Sequence, residues 1–329
     1  MTDNHGRGGA YGTEFHVPVL YKAVRQHIIT KSGGVYVDAT LGGGGHSAAL
    51  LDALSSRGRV IGIDQDVEAI DAARSRLAAD IRRGRFKAVR GNFEDLERLL
   101  EEVGETSIDG LLLDLGVSSH QLDTAERGFS YLMEGGLDMR MDPQSELSAY
   151  EVINEWDERD LREALFAFGE EPRAAQLARS IVAARPVRST RELADLVRRN
   201  VPDREELKVL SRVFQAIRIA VNRELDVLEK ALEAAVRVLR SGGRIAVISY
   251  HSLEDRRVKR FFRYGNFEGK PIRDLYGNLL TPWKEITRRP IRPDADEIAA
   301  NPRARSARLR VAERTDQPWP PGQDEARTN

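Results

Sequence analysis

Three aspartates, Asp38, Asp64 and Asp114, each close an apolar run, and the first stands just ahead of four consecutive glycines in "VYVDATLGGGGHSAALL", residues 35–51. A glycine turn between a strand and a helix lets a nucleotide approach the backbone closely. The residue types around it narrow which nucleotide. A phosphate-gripping loop needs Lys after its last glycine, and here His46 follows Gly45. A dinucleotide fingerprint begun at Gly42 finds Gly44 but meets Ser47 where the third glycine belongs. A carboxylate at Asp38 repels a pyrophosphate held on the loop N–H groups, and no Lys or Arg lies between Asp38 and Leu54. Asp64, about twenty residues past the loop, is placed to accept from ribose hydroxyls. Carboxylates at the carboxyl ends of parallel strands share one crevice, which therefore favours a cation. S-adenosylmethionine, with its ribose, adenine, sulfonium and ammonium and no phosphate, suits each feature. The same residues also have structural uses: Asp38 and Asp64 can cap the loops after them, and Ser118-x-x-Gln121 has the form of a capping box.

The elements that must position these side chains follow from the hydrophobic pattern. Strand-like runs at 35–41, 59–66, 85–93 and 110–116 stay apolar up to an acidic or glycine-containing end, as buried parallel strands do. Helical stretches "HSAALLDAL" and "DVEAIDAARSRLA" separate the first three, with Asp66 as N-cap of the second. This alternation predicts βαβ units and a mainly parallel sheet with helices on both faces. After Gly116 about a hundred residues read as helical: Asp157 opens a helix that Gly169 can end, Pro186 stops another, and Ser189 and Thr190 cap a third. A strand at 244–250 then resumes the sheet and another follows at 307–314. The expected architecture is α/β with an inserted all-helical domain.

Composition is that of an ordinary globular chain, 41% hydrophobic and 31% charged in 329 residues. Without cysteine there is no disulfide, thiolate nucleophile or Cys-based zinc site, and the six histidines lack ligand spacing, so no metal is expected. No apolar run suggests a membrane span or signal peptide, which makes the cytoplasm the expected location. The net charge of −1 hides an asymmetry. Residues 1–250 carry 34 Lys and Arg against 40 Asp and Glu, whereas residues 251–314 carry 16 against 9. Basic stretches interleaved with aromatics, as in "RRVKRFFRYGNF", suit an anionic polymer with unpaired bases.

Taken in order, "HVPVL", "DATLGGGGHS", "IDQD", "LLLDLGVSSHQLD", "ERGFSY…LDMRMD", "FQAIRIAVNREL", "GGRIAVISYHSLEDRRVKRFF" and "NPRARSARLRVAER" resemble the RsmH (MraW) family across nearly the whole chain. The resemblance implies a Rossmann-like class I methyltransferase that uses S-adenosylmethionine to modify N4 of a cytidine in the decoding region of bacterial 16S rRNA. It implies cofactor contacts at Gly44, Gly45, His46, Asp64, Phe93, Asp114 and Gln121, beside Asp38 from the charge argument, and a substrate pocket near Asp138, Arg140 and Asp142. With it come domain limits: a methyltransferase part at 16–127, a helical substrate domain at 128–221 and a second methyltransferase part with the RNA-facing segment at 222–314. The ends at 1–15 and 315–329 lie outside the resemblance and are expected to be disordered, the tail for its prolines and glycines without periodicity.

Transfer to an exocyclic amine needs an oxygen that orients a weak nucleophile and offsets its growing positive charge. Asp114 is the first candidate, although "DLGVSS" lacks the Pro-Pro-aromatic platform common among amino-methyltransferases. Tyr250 and His251 are the second, as groups that stack on or orient a flipped base. Against that, Ser252-x-x-Asp255 reads as a capping box with His251 merely beside it. The partner expected is 16S rRNA, within the small subunit. Methylation of another amine on DNA or protein, and a non-catalytic assembly factor built on the same fold, remain open alternatives.

Overall fold

The computed structural model describes residues 18–319. By contacts it divides into two units, one of residues up to Gly116 together with those from Val227 onward, the other Val117–Asp226. The division falls outside the expected 128–221 limits, because residues after Gly116 already belong to the helical core: Val117 and Leu122 pack against the cluster that holds Phe129, Leu137 and Met139.

The first unit is built on seven strands: β1 (Val35–Asp38), β2 (Arg59–Asp64), β3 (Phe86–Arg90), β4 (Ile108–Asp114), β5 (Leu239–Ser249), β6 (Trp283–Glu285) and β7 (Arg308–Arg314). They lie in the order β3-β2-β1-β4-β5-β7-β6. The first five run parallel, and β7 is antiparallel to both of its neighbours. Its helices are α1 (Tyr21–Ile28), α2 (Gly45–Ala53), α3 (Val67–Arg76), α4 (Ala78–Arg82) and α5 (Leu96–Glu102). The helical unit supplies α6 (Ser119–Asp123), α7 (Ala149–Asn154), α8 (Glu158–Ala167), α9 (Ala174–Ala183), α10 (Thr190–Arg199) and α11 (Glu206–Asn222). Then come α12 (Glu224–Val238), α13 (Ser252–Tyr264) and α14 (Ala295–Ala300).

Side chains alternate across each strand, so consecutive apolar residues feed opposite cores. Leu111 and Leu113 of β4 join Leu99, Leu232 and Phe262 on one face, while Leu112 joins Ile28, Leu50 and Ile70 on the other. That is why the parallel strands are apolar throughout, and it confirms helices on both faces. Asp109 clasps this sheet at its opposite end. Its Oδ2 accepts from the Val35 N–H (3.0 Å) and from Arg240 Nη1 (3.0 Å), and its Oδ1 from Lys31 Nζ (2.8 Å). Asp109→Ala leaves a buried strand N–H without its acceptor, while Lys31 and Arg240 remain solvated, and is expected to cost about 2 kcal/mol. Urea unfolding checks this as a lower midpoint at unchanged slope.

Local signals held where the side chain itself makes the cap. Asp66 accepts from the Glu68 N–H (3.0 Å), Asp157 from Asp160 (2.8 Å) and Ser189 from Glu192 (3.1 Å). Other expectations need correction. The strand expected at 244–250 starts at Leu239, because a register shift opposite Ile108 and Gly110 absorbs the "RSGG" stretch that reads as a turn. β6 is three residues long, too short to leave a pattern. Past α8 the left-handed residue is Glu170 (φ 47°) and not Gly169, whose lack of a side chain instead lets the carbonyls of Leu165 and Arg212 close in. Residues 315–319 are packed: Trp319 Nε1 donates to the Gly265 carbonyl (2.8 Å) and its ring meets Phe261 edge-on. The remainder of the expected disordered tail, and the expected N-terminal extension at 1–15, lie outside the described residues.

Candidate active site

Asp38, Asp64 and Asp114 end β1, β2 and β4, which are neighbours in the sheet, so all three carboxylates stand at one edge of the first unit. The glycine loop runs from β1 into α2 on the same edge. Gly42 (φ +49°) and Gly44 (φ +76°) both need the left-handed backbone that glycine adopts freely. A side chain at Gly45 would press on Pro18 at 2.5 Å, whereas the space above Gly42 is open.

Asp64 is held twice from below, accepting from the Gly42 N–H (2.8 Å) and the Asp66 N–H (2.9 Å). Each oxygen keeps a lone pair for a hydroxyl donor. Burial pushes its carboxyl up to about 6, against the pull of these two N–H groups. Phe93 follows β3, next in the sheet to β2. Half-buried against the core, it opens a turn capped by Asn92, whose amide also reaches Gln65 (3.1 Å). A ribose-accepting carboxylate and an aromatic ring thus stand on adjacent strand ends.

Asp38 is fully buried. Its Oδ2 accepts from Ser47 Oγ (2.8 Å), and its Oδ1 has no hydrogen-bond partner among the described residues. Burial raises its carboxyl above the usual range, with His46 and Ser47 pulling the other way. Asp114 is held from three directions. Its N–H donates to Thr40 Oγ1 (2.7 Å), its Oδ1 accepts from Tyr250 Oη (2.9 Å), and its Oδ2 faces His46 Nε2 at 3.3 Å. Burial lowers the pKa of His46, but Asp114 beside it and Asp38 deeper in outweigh this and leave it above the ordinary histidine value. Burial, then the Asp114 carboxylate, raises the Tyr250 hydroxyl well above its usual value, so it serves as a neutral donor.

The structure therefore brings Asp38, His46, Asp114 and Tyr250 together in one hydrogen-bonded and electrostatic network. His251 directly follows Tyr250: it is the N-cap residue of α13, and its Nε2 lies 3.1 Å from Glu254. The cap is thus one residue earlier than the expected Ser252-x-x-Asp255 box. Glu254 accepts from the N–H groups of Tyr250 (2.8 Å) and His251 (3.3 Å), while Asp255 pairs with Arg310 (2.6 Å) and Arg308 (3.2 Å). Gln121 makes the capping box with Ser118 that its spacing allowed, accepting from the Ser118 N–H at 3.0 Å. In the helical unit, Arg140 is bonded through both Nε (3.0 Å) and Nη2 (2.7 Å) to Asp138, and Asp142 caps Gln144 (3.0 Å).

Sequence reasoning missed Thr40, Ser47 and Glu254, whose polar side chains fix the functional groups. Glu254 had a signal, the N3 position after an N-cap. It also missed Arg76, which reaches the Gly43 carbonyl (3.0 Å) from α3. Arg76 comes from outside the 38–54 stretch, and its contact is to a backbone oxygen on the loop.

A family model described as the MraW methylase family matches residues 13–315. The chain belongs to the MraW methylase family. Proteins called "Ribosomal RNA small subunit methyltransferase H" from Flavobacterium johnsoniae and Chlorobium luteolum are 46% and 49% identical to this chain. The alignments cover 92% of this chain in both cases and 98% and 97% of those proteins. One from Thermomicrobium roseum is 47% identical, over 91% of this chain and 93% of its own. The seven-stranded sheet with its antiparallel β7 is the Rossmann-like class I arrangement, and this MraW-family methylase uses S-adenosylmethionine as its cofactor. The residues present fit that molecule. A buried, unpartnered carboxylate oxygen on Asp38 suits an ammonium, the two-fold braced Asp64 suits ribose hydroxyls, Phe93 suits a ring, and no lysine stands at the loop for a phosphate.

Proposed function

We propose that this methylase acts on the N4 amine of one unpaired cytidine in the decoding region of small-subunit rRNA, in the cytoplasm where that RNA is made and assembled. The relatives' names support the RNA. The observation that carries the chemistry is the Asp114 carboxylate, fixed by Tyr250 and His46 at the open edge of the sheet yet still 21% exposed at its side chain.

Asp38, Gly44, Gly45, His46, Asp64 and Phe93 would hold the cofactor, and when bound it supplies an electrophilic methyl group on a sulfonium. The rest falls to the chain's own side chains. The cytosine amine is a poor nucleophile because its lone pair is delocalised into the ring. A carboxylate oxygen of Asp114 that accepts one amine N–H turns the lone pair toward the methyl group and offsets the charge that grows on nitrogen. Tyr250 and His46 keep that oxygen from rotating away, so no reorganisation is needed as charge develops. After transfer the methylated amine carries one proton too many, and Asp114, coupled to His46, is the adjacent acceptor. Tyr250 thus acts here as a positioning residue for Asp114.

A base amine is inaccessible inside a duplex, so the target is flipped or unpaired. We assign RNA affinity to the basic stretch after β5, and substrate contacts to the helical unit, where Asp138 and Arg140 bond to each other and Asp142 to the Gln144 N–H. The test is to incubate the protein and isotope-labelled cofactor with small subunits lacking the modification, digest the RNA and identify labelled nucleosides by mass spectrometry. N4-methylcytidine is the expected product. Label that enters only DNA or protein, or no substrate at all, would overturn the assignment.

A further inference from the structure

Between α13 and β6 the chain forms a small hairpin, residues 272–280, whose tip carries two large apolar side chains with nothing packed on them. Leu275 is fully exposed and Tyr276 is 91% exposed. This is a built tip. Arg273 and Leu279 form an antiparallel bridge, and the Leu280 N–H donates to the Ile272 carbonyl (2.8 Å). Asp274 braces the turn, accepting from the N–H groups of Tyr276 (2.9 Å) and Asn278 (2.8 Å) and from Asn278 Nδ2 (2.9 Å). Gly277 takes φ +85°, and Arg273 caps its carbonyl at 2.6 Å. The feet are anchored to α13: Phe267 stacks on Phe261 with ring centroids 4.7 Å apart, Trp283 lies 5.7 Å from Phe262, and Arg260 holds the Phe267 carbonyl (3.2 Å).

Single exposed apolar residues need no explanation, but an adjacent pair lifted into solvent on a braced turn suits a partner. The charge of the flanking sequence says which. Residues 256–292 hold eleven Lys and Arg against three Asp and Glu. Asp274 is spent within the turn, and the ion pairs Arg263–Glu285 (3.4 Å), Arg257–Glu229 (2.7 Å) and Lys284–Glu313 (3.4 Å) still leave a basic excess along this stretch. A basic platform bearing a projecting aromatic fits a polyanion with unpaired bases.

We propose that Leu275 and Tyr276 dock against unpaired bases of the rRNA at a site remote from the methylated cytidine, and so contribute to choosing the substrate. The inference rests on small-subunit rRNA being the substrate. Tyr250 precedes α13 and the hairpin follows it, and the thirteen residues of that helix span about 20 Å. A contact away from the reacting amine binds ground state and transition state alike, so it appears in KM and not in kcat.

The experiment compares wild type with the Leu275→Ser/Tyr276→Ser double variant on small subunits lacking the modification. The expected result is a KM for subunits raised about tenfold or more, at unchanged kcat and unchanged cofactor affinity, with Tyr276→Phe close to wild type. A photo-crosslinking phenylalanine analogue placed at position 276 is expected to join to 16S rRNA. An unchanged KM, or crosslinks to ribosomal protein alone, would overturn the hairpin's role. Failure of the substrate assignment itself is read separately, as absence of methylation by the wild-type protein.

Discussion

Asp114→Asn is expected to lower kcat about 100- to 1,000-fold while leaving cofactor affinity within about threefold of wild type. Asparagine keeps the shape and can still accept from Tyr250 Oη, but it removes the negative charge and turns an amide N–H₂ toward His46 or the substrate amine. The lost term is the one that acts as positive charge develops on nitrogen, so it falls on kcat. Cofactor binding measured by titration calorimetry, beside single-turnover methylation of small subunits, separates the effects. If affinity collapses while the saturated rate persists, Asp114 holds the cofactor and the amine is oriented by another group. Asp114→Ala is a poorer probe, because it also leaves the buried Tyr250 hydroxyl and His46 without their partner.

Asp64→Ala is expected to weaken S-adenosylmethionine binding about 100-fold, the loss of two hydrogen bonds from hydroxyls to a charged acceptor. Its effect reaches beyond the ligand, since the N–H groups of Gly42 and Asp66 lose the acceptor that shapes the glycine loop. Wild-type Asp64 also predicts a pH dependence. Its folded carboxyl lies near 6, above the unfolded value of about 4, so the free protein binds more protons than the unfolded chain in that interval. Its stabilising contribution is fully present below about pH 4 and is lost as pH rises through 6. Ribose hydroxyls favour the ionised form, so cofactor affinity runs the other way, rising as pH increases toward about 6 and then levelling. Titrations at several pH values check this. An affinity with no rise across that interval would remove Asp64 from the ribose contact.

Much of the frame was legible because local physics determined it. Asp66, Asp157 and Ser189 cap their helices through bonds to N–H groups two or three residues away, so their roles show in any short window. The strands that end in Asp64 and Asp114 were found because burial on both faces demands an unbroken apolar run, although the expected runs 59–66 and 110–116 overran their ends by two residues. What failed involved a distant partner. The start of β5 depends on how Leu239 pairs with Ile108 across the sheet, and the packing of Trp319 on Phe261 joins the chain's last described residues to α13. The cap expected at Ser252 falls on His251 beside Glu254, because it depends on the turn that leaves β5.

The amino-acid sequence by itself determined a doubly wound sheet, a helical insertion and a glycine loop beside three strand-end carboxylates, a charge pattern that favours a cationic cofactor without phosphate. Tertiary structure alone decided which groups meet. Asp114 pairs with Ile248 in the β4–β5 register, so Tyr250, two residues on and therefore on the same face, brings its hydroxyl to the carboxylate. A slip of one residue would send that hydroxyl to the opposite face. Register is set by the summed burial of the strands and not by any local motif, so the network of His46, Asp114 and Tyr250 becomes visible only when the sheet is assembled.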